Sequence, residues 1–166
     1  MVSLAELKQA IASYGATATA KLRRDHRVAQ TMQVFITTNR FHPQEPQYDN
    51  SEVIMLPYPT HDTLTIVQAA LGAAERLYRP GYTYHKAGVM LLDLSDGAIA
   101  QGGLFVDETK RERAGRLMVA VDALNRQFGA GTVRWAAEGL QQEWRMRAEW
   151  RSHQFTTRWD ELVVVR

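Results

Sequence analysis

The sequence predicts an α+β fold in its first 95 residues, followed by a small mixed subdomain. Three observations carry this. Two stretches repeat apolar residues at three- and four-residue steps; three others are rich in β-branched and apolar residues; and the order is helix, strand, strand, helix, strand. That order is the ferredoxin-like βαββαβ arrangement lacking its first strand, with both helices on one face of the sheet.

Residues 3–24 predict the first helix. Leu4, Leu7, Ile11, Tyr14, Ala18 and Leu22 fall on one face, Ser3 with Glu6 has the form of a capping box, and Lys21, Arg23 and Arg24 occupy the last turn, where cations suit the helix dipole. Residues 30–38 alternate and predict a strand with one wetter face. Pro43, Pro46, Asp49 and Asn50 mark a loop over 41–50. A second strand is expected over 51–56, stopped by Pro57 and Pro59. Leu64, Val67, Leu71, Ala74 and Tyr78 mark the second helix, with Asp62 at its start and Arg79-Pro80-Gly81 at its end. Residues 84–94 form the third strand.

Residues 96–112 read as a linker and 113–166 as a tail domain. Leu117, Val121, Leu124 and Phe128 share one helical face, closed by Gly129-Ala130-Gly131. Thr132 to Trp135 suggests a short strand and Leu162 to Val165 a final one. A βαββαβ sheet is expected to place its first strand centrally, where a gap would leave unpaired backbone groups. The 162–165 segment is the nearest candidate to fill it.

Composition excludes several classes. There is no cysteine among the 166 residues, hence no disulfide framework or thiolate metal site. The amino terminus does not have the form of a signal peptide, and no apolar run is long enough to span a bilayer. The five histidines show no ligand spacing, and no P-loop, dinucleotide-binding glycine motif or nucleophile elbow occurs. No catalytic residue, metal site or cofactor is therefore assigned to this chain. The formal net charge is +2, and the whole excess falls in residues 107–166, so any nucleic-acid contact must come from local patches.

Three such patches stand out. Thr37, Thr38, Asn39 and Arg40 follow the first strand, and Tyr82, Tyr84, His85 and Lys86 flank the third; hydroxyls, amides and cations at strand ends are what phosphate contacts require, and equally what any solvated loop carries. Gln101, Leu104 and Phe105, spaced by Gly102-Gly103, have the form of a short docking peptide, or of a domain end that packs back on itself. Trp135, Trp144, Trp150 and Trp159 interleave with Arg134, Arg145, Arg147, Arg151 and Arg158, which suits stacking on bases, a protein interface or a tryptophan core.

Several segments together resemble the UmuC-type Y-family translesion DNA polymerases. They are Gln47-Tyr48-Asp49-Asn50-Ser51, Leu56 through Asp62, Gly81 through Leu91, Gln101 through Phe105, Leu117 through Asn125, Gly139 through Met146, and Phe155-Thr156-Thr157-Arg158. The resemblance implies that residues 1–95 are a little-finger domain that clasps duplex template-primer DNA. It implies a strand before the first helix, so that the chain is expected to begin after it. Magnesium would be held by a palm domain upstream, absent from this sequence, so the chain itself would be no enzyme and need no cofactor. Gln101, Leu104 and Phe105 would dock the sliding clamp, with glycines where Leu and Ser or Asp are usual. The tail would meet the UmuD′ dimer or RecA. A cytoplasmic role in SOS mutagenesis and DNA repair follows, with no membrane partner. The alternative from another class is a free-standing adaptor that binds clamp, UmuD′ or RecA without DNA.

Overall fold

The structure, a computed structural model, describes residues 1, 3–97, 108–142 and 144. Its elements are α1 (Leu4–Arg24), β1 (Arg27–Thr38), β2 (Asp49–Thr60), α2 (Thr63–Leu77), β3 (Tyr84–Asp96) and α3 (Glu108–Phe128), then a single 3-10 turn at Ala136–Glu138. The strands make one antiparallel sheet in the order β2-β1-β3. The α+β class and the order of the first five elements are those the sequence predicts.

The caps explain the helix starts. Ser3 Oγ accepts from the Glu6 N–H, and Asp62 Oδ2 accepts from both the N–H and the hydroxyl of Thr65. Both helices cover the same face of the sheet. Leu7 and Ile11 of α1, Ile66, Ala70 and Ala74 of α2, and Met32, Val34 and Ile36 of β1 form one buried cluster. The face α1 buries continues through Gly15 and Thr19 to Leu22, so it runs along small residues. A Cβ on Gly15 would lie 3.4 Å from Val67, and the hydroxyls of Thr19 and Thr63 meet at 2.8 Å in the interior. Small residues let the two helices approach; Tyr14, expected on that face, is 41% exposed and instead sets its ring edge-on to Trp144, 5.6 Å away.

Four expectations are corrected. The central position of the sheet belongs to β1, not to a strand ahead of α1. Chain preceding α1 lies at the outer edge of β3, where Met1 and Tyr84 exchange two backbone bonds of 2.9 Å, an antiparallel pairing. Among the described residues the centre of the sheet is filled and no gap lies there to be closed; the 162–165 segment lies outside the described residues. Second, β2 runs on through Pro57 and Pro59 to Thr60. It is an edge strand among the described residues, and the ladder is interrupted between Ala29 and Thr31, so Pro57 and Pro59 fall where β2 has no ladder partner; the Gln30 side-chain amide donates to Leu56 O at 2.7 Å across the break. Third, α3 starts at Glu108, because the charged run read as linker consists of strong helix formers. Its buried side chains are Met118 and Val121, while Leu117, Leu124 and Phe128 are 44%, 42% and 63% exposed. Fourth, Thr132 to Trp135 is not a strand. Both backbone groups of Val133 bond instead to the Asn125 side chain, at 3.0 and 2.8 Å, which serves as a one-residue strand partner.

Candidate nucleic-acid interface

Among the described residues, the side of the sheet away from α1 and α2 is open. Directly opposed residues share a face in an antiparallel sheet, so the register defines this surface. Thr31, Gln33, Phe35 and Thr37 of β1 stand between Met55, Val53, Ser51 and Asp49 of β2 and Leu92, Met90, Gly88 and Lys86 of β3. Gln33 donates to Ser51 Oγ at 3.0 Å. The tip of the Phe35 ring lies over Gly88, where an added Cβ would come to 2.5 Å from Cζ, so glycine is what lets the aromatic settle on the sheet. Val53, Met55 and Met90 are exposed. Sequence analysis missed this apolar-aromatic strip. The signal was the wetter alternate face of β1, which becomes informative only once its two neighbours are known.

At one end of the face a shallow cleft of about 560 Å³ gathers Thr37, Thr38, Asn39, Arg40, His85 and Lys86, residues that belong to two strand ends 45 positions apart. The first strand end is shaped by Gln47, whose side-chain N–H₂ donates to the carbonyls of Asn39, His42 and Glu45 and whose Oε1 accepts from the Thr38 hydroxyl. Thr38 Oγ1 also accepts from Tyr48 N. Thr38 is thus buried and spent on the loop, and Asn39 Oδ1 accepts from Phe41 N in a local turn. Arg40 is exposed and paired with Asp49. Lys86 and His85 are exposed, and Lys86 has no ion partner among the described residues. Tyr84 stands apart: it is 1% exposed, and its hydroxyl both accepts from Arg79 N and donates to Arg79 O. Burial pushes its phenol up, so it stays neutral within a cluster with Tyr48, Tyr78 and Tyr82. Gln101, Leu104 and Phe105 lie outside the described residues.

Comparison with known proteins shows the family. Residues 1–104 match the impB/mucB/samB family C-terminal domain. The chain belongs to the impB/mucB/samB family. UmuC and ImpB of Salmonella typhimurium are 38% and 39% identical to it over 97% and 96% of its length, and MucB of Escherichia coli is 34% identical over 98%. The chain spans 38% of the length of these relatives. Residues 115–165 match a domain of unknown function. The resemblance drawn from Gln47–Ser51, Leu56–Asp62 and Gly81–Leu91 is thereby borne out for UmuC-type proteins.

In this family member the second matched region is joined to the first by charge. Arg23, 10% exposed at its side chain, holds both carboxylate oxygens of Asp122 on α3 at 2.6 and 2.8 Å, and donates also to His61 O and Thr63 Oγ1 at 2.9 and 2.8 Å. One guanidinium therefore ties α1, α2 and α3 together. Arg111 of α3 stacks 5.8 Å above the Tyr58 ring. His61, beside this hub, is held below its ordinary pKa by burial first and by the Arg23 charge second, and its Nδ1 is buried with no hydrogen-bond partner. Among the described residues no group of three His, Asp or Glu side chains could hold a metal ion, and no helix is long and apolar enough to cross a membrane.

Proposed function

We propose that this chain is the DNA-gripping and partner-binding end of a UmuC-type Y-family translesion polymerase. Its open sheet face lies on the template-primer duplex, with Arg40, Lys86, Thr37, Asn39 and His85 meeting phosphates at one end of the face. The observation that carries the reading is the convergence of these two strand ends on one open surface in a member of this family. Backbone N–H groups at the loop, a free ammonium and a hydroxyl are sufficient for sequence-independent phosphate contacts, and the Phe35–Met90–Val53 strip offers apolar contact to sugars between them. Gln101, Leu104 and Phe105 dock the sliding clamp, and the tail meets UmuD′ or RecA, all in the cytoplasm. The chain supplies affinity and no bond-making step; magnesium-dependent nucleotide transfer belongs to a palm domain outside this sequence.

The test is titration of a fluorescent primer-template duplex into the chain at several salt concentrations. Affinity must fall as salt rises. Absence of binding at 50 mM salt, together with retained clamp binding, would favour the protein-only adaptor. Primer extension by this chain with magnesium and all four nucleotides should stay at background.

A further inference from the structure

Behind the sheet, α1, α3 and the segment following α3 enclose a second cleft of about 530 Å³. Its floor is small and apolar, built from Ala16, Ala20, Val121 and Val133. Its rim is cationic. Lys21, Arg23, Arg24, Arg126 and Arg134 line it against two carboxylates, Asp122 and Glu138. Neither carboxylate is free. Asp122 has both oxygens on Arg23, and Glu138 is 8% exposed with its Oε1 on the Trp135 N–H at 3.0 Å. Lys21 and Arg126 have no ion partner among the described residues, Arg134 Nε donates to the Gly131 carbonyl at 2.8 Å, and Arg24 has only the exposed Asp25 at 3.7 Å.

Helix dipoles account for part of this. Lys21, Arg23 and Arg24 sit in the last turn of α1 and Arg126 in the last turn of α3. Two helix carboxyl ends supply together about one negative charge, at roughly half a charge each. A backbone N–H does not cancel the formal charge of Glu138, and Asp25 adds another beside Arg24, so the negative side sums to about three charges. Lys21, Arg24, Arg126 and Arg134 still outweigh it, and these cations repel one another across the same space unless an anion enters. The occupant's chemistry follows from the floor. A groove that holds a single nucleic-acid strand combines its cations with aromatic side chains on which successive bases stack. Among the described residues two rings, His26 and Trp135, line the cleft, too few for a run of stacked bases, and the floor presents the methyl groups of Ala16, Ala20, Val121 and Val133, which suit an aliphatic side chain. The cleft also lies on the helical side, away from the open sheet face.

We propose that this cleft is a docking site for an acidic peptide segment of a partner protein, its carboxylates on Lys21, Arg126 and Arg134 and an aliphatic side chain seated on Ala16, Ala20 and Val121. The duplex reading is not needed for it, since the two surfaces are on opposite sides of the sheet.

The test uses the full chain and a fluorescein-labelled ten-residue peptide of alternating Glu-Glu and Leu-Leu pairs, followed by anisotropy. Saturable binding is expected. It should weaken at least tenfold in Lys21→Glu/Arg126→Glu, and at least tenfold when every Glu of the peptide is replaced by Gln. Lys86→Ala on the sheet face should bind the peptide as the natural chain does. Lys21 and Arg126 are exposed, and an unchanged thermal midpoint shows that the double variant is folded. Undiminished peptide binding by the folded double variant overturns the proposal. So does loss of oligo-dT binding, with peptide binding intact, in that variant, which would assign the cleft to single-stranded nucleic acid. Binding seen only after Asp160→Asn/Glu161→Gln would mean that the chain's own tail fills the cleft, and would overturn the partner.

Discussion

Lys86 and Arg40 stand at the same end of the open sheet face, yet the structure separates what their loss should do. Each phosphate neutralised on duplex DNA contributes about 0.9 to the slope of log affinity against log salt. Between 50 and 200 mM salt, one contact then accounts for about a 3.5-fold loss of affinity. Lys86 has no ion partner among the described residues, so Lys86→Ala should lower the slope by about the full 0.9. Arg40 is already paired with Asp49, both side chains more than half exposed. That pair must be opened or shared before a phosphate can bind, and exposed pairs are worth roughly 0.2–1 kcal/mol. Arg40→Ala should therefore cost less affinity than Lys86→Ala. Asp49→Asn should tighten binding, by up to about fivefold, because it frees Arg40 and removes a repelling carboxylate from the same rim. Anisotropy titration of one duplex at four salt concentrations for the three variants measures all of this. Identical slopes in Lys86→Ala and the natural chain, together with weaker binding by Asp49→Asn, would refute the placement of the duplex on this face.

Three further outcomes follow from other parts of the molecule. Asp122→Ala removes two charge-assisted bonds from a guanidinium that is 10% exposed and keeps only His61 O and Thr63 Oγ1; denaturant unfolding should show a loss of about 2–3 kcal/mol, and a change under 0.5 would mean that α3 is not held by this pair. His61 has its folded pKa below the ordinary 6.5, so the unfolded chain takes up a proton as pH falls through 6.5 while the folded chain withholds it. Stability should thus be full above pH 7 and decline below 6.5 until the folded value is reached, and His61→Gln should flatten that decline in thermal melts across pH 5–8. Clamp binding, measured by surface plasmon resonance, should be lost in the Gln101→Ala/Leu104→Ala/Phe105→Ala variant, with Phe105→Ala alone costing about 2 kcal/mol; equal binding by the triple variant would remove the segment from the interface.

Much of the fold was legible because local chemistry and global packing agree in residues 1–97. Ser3 and Asp62 cap the helices they precede, the apolar spacing of Leu7 and Ile11 in α1 reaches the buried cluster, and the alternation of β1 separates Met32, Val34 and Ile36 from Gln33, Phe35 and Thr37. In α2 the expected stripe shares only Ala74 with that cluster: Leu64 is 39% exposed, and Ile66, Ala70, Ala73 and Leu77 fill the cluster instead. Where the reading failed, the deciding contact came from far along the chain. Pro57 and Pro59 stop a central strand but not an edge strand beside a broken ladder, and edge position is a property of the sheet order. The apolar stripe of α3 is ambiguous by one helical step, and a polar anchor, Asp122 on Arg23, 99 residues earlier in the chain, chose which residues are buried. Family resemblance rested on residue strings and needed no coordinates.

The candidate surfaces divide the same way. The sequence by itself determined that cations, hydroxyls and amides follow β1 and precede the body of β3, since those are residue types at element ends. Only the tertiary structure decided that the two ends meet, because antiparallel pairing of Thr37 with Lys86 brings together groups that are 49 positions apart. It alone withdrew Tyr84, whose hydroxyl is consumed by the Arg79 backbone, and bound Arg40 to Asp49. It alone assembled the cationic cleft between α1 and α3, where the last-turn cations of two helices meet Arg134 from the segment after α3 and become a site only together. Side-chain type is written residue by residue, but charge density and burial are sums over neighbours, and folding chooses the neighbours.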